Sequence, residues 1–71
     1  MPEMSDREKL KILLDHWIEH NSEHAEEFME WAEKAGGLGE DAVRAAIAQA
    51  AQQMKKGNEF LLAALEKLKE G

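Results

Sequence analysis

The stretch Lys34-Ala35-Gly36-Gly37-Leu38-Gly39-Glu40-Asp41 lies at the midpoint of a 71-residue chain and carries its one strong loop signal. Three glycines in four positions break any regular element, and on either side the pattern is helical. Upstream, nothing from Asp6 to Ala35 is Gly or Pro. Ser5 followed by Glu8 has the form of a capping box, in which the hydroxyl accepts a free helix N–H. Leu10, Leu13, Leu14, Trp17, Phe28, Trp31 and Ala35 recur at spacings that place them on one helix face. Lys34 suits the negative end of this helix, and Gly36 is the expected stop. Downstream, Glu40 and Asp41 suit the positive end of a second helix.

The second half carries Val43, Ile47, Ala50, Met54, Gly57, Leu61, Ala64 and Leu68, separated by alternating steps of four and three. That is a heptad seam in which large and small layers alternate. The expected organisation is a single domain over residues 1–71: a helix over about 6–35, a loop at 36–39 and a helix over about 40–69. Two helices of roughly 45 Å joined by so short a loop form an antiparallel hairpin, so the fold class is all-α. Facing positions then sum to roughly 75, which sets Trp17 against Gly57–Asn58, Phe28 against Ile47 and Trp31 against Val43–Arg44. Lys55-Lys56-Gly57-Asn58 carries the competing signal of a helix stop followed by a new N-cap. The heptad phase runs through it, which favours one continuous helix over a three-helix arrangement.

Composition narrows the function. A single core is marginal at this size, and with no Cys the chain has neither disulfides nor thiolate zinc sites to reinforce it. The net charge of -6 argues against nucleic-acid or anionic-lipid partners. No basic region followed by an apolar run opens the chain and no segment approaches a membrane span, so the cytoplasm is the expected compartment. A two-helix hairpin has a core on one side only, leaving Ile18, Met29 and Leu62 in need of cover. A C2 homodimer forming a four-helix bundle supplies it. Trp17, Phe28, Trp31, Ile47, Met54, Gly57 and Leu61 are the expected packing or interface residues. No phosphate loop, dinucleotide fingerprint or nucleophile–base pair is present, so no enzymatic activity is expected.

All three histidines stand at 16, 20 and 24, each opening a tetrapeptide that ends in Glu. From Ile12 through Glu33 there is no Lys or Arg, but seven carboxylates. The whole net charge of -6 sits in residues 1–35, whereas residues 36–71 balance five acids against five bases. Imidazole with carboxylate suits Zn(II), Ni(II) and related divalent cations. His16, His20 and His24 with Glu23 and Glu27 are therefore candidate ligands, although no cofactor is required for folding. Two plainer readings stand beside this one: a solvated face in which each His pairs with the Glu three residues on, or His24 and His20 as satisfied residues at the core boundary. His20-Asn21-Ser22-Glu23-His24 also matches the H-x-x-E-H string of inverzincin peptidases. So short a chain offers no convincing third ligand or substrate cleft, and the peptidase reading is set aside.

The run from Asp15 to Phe28, DHWIEHNSEHAEEF, resembles a small prokaryotic helical family of uncharacterised function marked by an HWIEHN-type segment. The resemblance covers mainly the first helix. It implies a compact helical protein and carries no assigned activity.

Overall fold

The structure is a computed structural model that describes residues 4–70; residues 1–3, read above for a leader, and residue 71 lie outside the described residues. It contains two helices, α1 (Asp6–Gly37) and α2 (Asp41–Glu70), packed as an antiparallel hairpin. The molecule measures 57 × 23 × 11 Å, a layer one helix thick. Ser5 caps α1 from an extended conformation, its hydroxyl accepting the Glu8 N–H at 3.2 Å. Among the described residues no helix is long and apolar enough to cross a membrane.

The turn lies slightly later than the glycine pattern implies. α1 runs through Gly36 and Gly37, Leu38 is its C-cap, and Gly39 takes the left-handed conformation at φ 80°. The Glu40 N–H donates to the Ala35 carbonyl at 2.9 Å and the Gly39 N–H to Gly36 at 3.0 Å. This pair of bonds is a Schellman motif, which satisfies carbonyls that the helix end leaves free. Gly39, not Gly36, therefore supplies the left-handed step. Gly36 serves a different purpose: a Cβ there would lie 2.7 Å from the Arg44 side chain, which crosses the end of α1. At the open end of the hairpin, the Arg7 guanidinium donates to the Leu68 carbonyl and ties the two termini together.

The seam between the helices is rotated by about one residue from the face expected on each. On α1 the seam runs through Lys11, Leu14, Ile18, Asn21, Ala25, Phe28, Ala32 and Ala35; on α2 it runs through Ile47, Ala51, Met54, Asn58, Leu61, Leu65 and Leu68, and His24, Gly36, Ala48 and Gly57 are half-buried beside these runs. Both runs keep an unbroken three–four spacing. Among the described residues, Leu14, Ala25, Ala32, Ala35, Ala51 and Leu65 form the buried core. Four of these six are alanines, whose small side chains permit close approach of the two backbones. Ile18, expected on an outer face, belongs to this seam. Leu10, Leu13, Trp17, Trp31 and Val43 stay exposed on its flank, while Met29 and Leu62 remain exposed elsewhere.

In α2 one expectation holds and another fails. The helix is continuous through Lys55-Lys56-Gly57-Asn58, and Asn58 is no N-cap. Its amide donates to the Ile18 carbonyl at 2.9 Å and to the Ser22 hydroxyl at 3.0 Å. Its carbonyl accepts from the Asn21 amide at 3.1 Å. The pairing of Trp17 with Gly57 within one hairpin does not form: a Cβ added at Gly57 would meet nothing within 4 Å.

Two stability measurements check this arrangement. Gly57→Ala fills open space in a helix interior, so it is expected to stabilise the hairpin by about 0.5–1 kcal/mol, read as a higher melting temperature. Asn58→Ala strands the half-buried Asn21 amide and is expected to cost about 1–2 kcal/mol in urea unfolding. A neutral result would mean that the asparagine layer does not hold the register.

Candidate functional site

Two features border the seam, both on the same flank of α1. The first is apolar. Phe28 and Trp31 on α1, with Ala46, Ile47 and Ala50 on α2 and Glu27 at the rim, line an open cavity of about 450 Å³. Trp31 is 55% exposed and Trp17, further along the same flank of α1, 40%. Trp31 is held from one side by Lys34, whose Nζ sits 4.2 Å from the ring centroid as a cation–π contact. On α2, Val43, Ala50, Gly57 and Ala64 recur every seven residues beside the seam. These are the small positions that the sequence reading assigned to the core; the structure leaves them beside the exposed tryptophans. Of the packing residues named above, Phe28, Ile47, Met54, Gly57 and Leu61 are half-buried, and none is fully enclosed.

The second feature is the histidine row. One helical turn separates each ring from the next, so residues four apart become neighbours. His16 and His20 have ring centroids 5.3 Å apart with planes 21° from parallel. His20 and His24 are 4.5 Å apart with planes at 88°. His24 stands 6.4 Å from Phe28, at the margin of the apolar cavity. His16 and His20 are exposed, and His24 is half-buried. His24 Nδ1 lies 4.0 Å from a Glu27 carboxylate oxygen. Of the His–Glu pairs expected at i,i+3, this is the one that comes within ion-pair distance. Glu23 and Glu27 both face solvent. Among the described residues, no group of three or more His, Asp or Glu side chains is gathered closely enough to enclose a metal ion. The five candidate ligands therefore form an open row and not a closed cage.

Lys55 lines a shallow depression with Glu26, Met29, Glu30 and Glu33. The functional residue that sequence reasoning missed is Asn58, together with its partner Asn21. Their signal was present: Asn21 lies seven residues from both Leu14 and Phe28, and Asn58 seven from both Ala51 and Leu65.

Residues 10–68 match the model of a family described as a domain of unknown function, DUF8180, and the chain belongs to that family. No curated protein and no solved structure matches it.

Proposed function

We propose that this DUF8180 domain acts by self-assembly and not by catalysis, with two copies packing cavity face to cavity face into a four-helix bundle. The observation that carries this reading is the contrast between a small buried core, four of whose six residues are alanine, and the exposure of Trp17 and Trp31 along one flank. Bulky aromatics bury the most apolar area per residue and anchor interfaces. Here they are left outside a core of six residues. A second copy is the occupant that fits. The 57 × 23 Å face presents on the order of 1,300 Å², above the ~800 Å² per partner of a standard interface.

Charge selects the arrangement. α1 carries the whole excess of carboxylates, whereas α2 is close to neutral. A twofold axis parallel to the helices lays α1 over the partner's α2 and keeps the two acidic helices apart. In that arrangement Trp17 sits over the small-residue stretch that includes Gly57 and Ala64, so the gap at Gly57 receives a side chain from the other molecule.

Sedimentation equilibrium is expected to give a species of twice the 8.0 kDa chain mass. Trp31→Glu should weaken association roughly thirty-fold or more, as loss of an interface anchor does. Gly57→Leu should abolish the dimer while leaving the thermal stability of the dilute hairpin intact. A single 8.0 kDa species at every concentration would overturn the proposal.

A further inference from the structure

We propose that His20 and His24 form a two-point chelate for a divalent transition cation of the Ni(II) or Cu(II) type on the flank of α1. The argument is geometric. A metal–imidazole bond of ~2.0–2.1 Å places the ion ~3.2 Å from the ring centre. Two imidazoles meeting one ion at a right angle therefore have ring centres ~4.5 Å apart, and at the tetrahedral angle ~5.2 Å apart. His20 and His24 stand at 4.5 Å. That is the right-angle separation, which octahedral and square-planar ions use and which tetrahedral zinc does not.

A second observation selects this pair over His16 and His20. A carboxylate stands beside His24: Glu27 comes to 4.0 Å from Nδ1, ion-pair distance and too long for a hydrogen bond. His24 is also the half-buried ring of the three. The stretch from Ile12 through Glu33 holds no Lys or Arg, and its seven carboxylates concentrate cations around the chelate. Two protein ligands leave the remaining coordination positions to water. Both ligands come from one chain, so the chelate needs no second copy to complete it.

The test is calorimetric titration of Ni(II) into untagged wild-type chain at neutral pH, with one ion bound per chain as the expected result. His20→Gln and His24→Gln should each weaken binding at least ten-fold. His16→Gln should leave the affinity unchanged. The substituted positions line the helix surface, and far-UV circular dichroism checks that each variant remains helical. Absence of Ni(II) uptake by wild type would overturn the proposal. So would uptake that survives either single substitution at 20 or 24, or a loss at His16→Gln as large as theirs.

Discussion

The close approach of two helices along a line of small side chains governs the rest of this molecule. Ala25, Ala32, Ala35 and Ala51 are buried because nothing larger fits between the backbones there. Close approach of this kind makes dispersion contacts along much of the seam, but it buries little apolar area per residue. It also leaves Trp17 and Trp31 outside, so the thin layer and the open cavity accompany a core in which Leu14 and Leu65 are the only buried side chains larger than alanine among the described residues.

Because such a seam is smooth, register needs another source. Stacked alanines would tolerate sliding by one heptad with little loss, since small residues recur at that spacing. The layer formed by Asn21, Ser22 and Asn58 removes the degeneracy, since a half-buried amide finds its partners in one alignment only. The Schellman turn at Gly39 and the Arg7–Leu68 bond fix the two ends of the same alignment. Specificity in this hairpin is thus carried by polar contacts at three points, and attraction by the apolar seam between them.

The hairpin itself was legible in the sequence because its signals are local: a glycine-rich midpoint, a capping box at Ser5, and acids at the start of α2. The rotation of the seam was not legible, because bulk was weighted above continuity. Leu10, Leu13, Trp17 and Trp31 make an attractive apolar list, yet an eleven-residue gap separates Trp17 from Phe28. The run through Leu14, Ile18, Asn21, Ala25, Phe28 and Ala32 has no gap and became the seam. Two asparagines on that run disguised it. The histidine row could be read directly, since spacing of four within a single helix needs no tertiary information. The orientation of Glu27 toward His24 depends on rotamers, which sequence does not reveal.

The turn has a consequence for how the chain reaches this state. Loop-closure entropy rises with the number of residues enclosed, so the contacts beside Gly39 are the least costly to form and the Arg7–Leu68 bond the most costly. Folding that begins at the turn extends outward like a zip, each layer enclosing seven or eight more residues than the last. Asn58 meets Asn21 about halfway along this path. A chain that has paired out of step arrives there with its amides unmatched and must reopen only the short stretch behind it. The asparagine layer is therefore placed to act as a proofreading step, reached before most of the leucines of α2 commit to the seam.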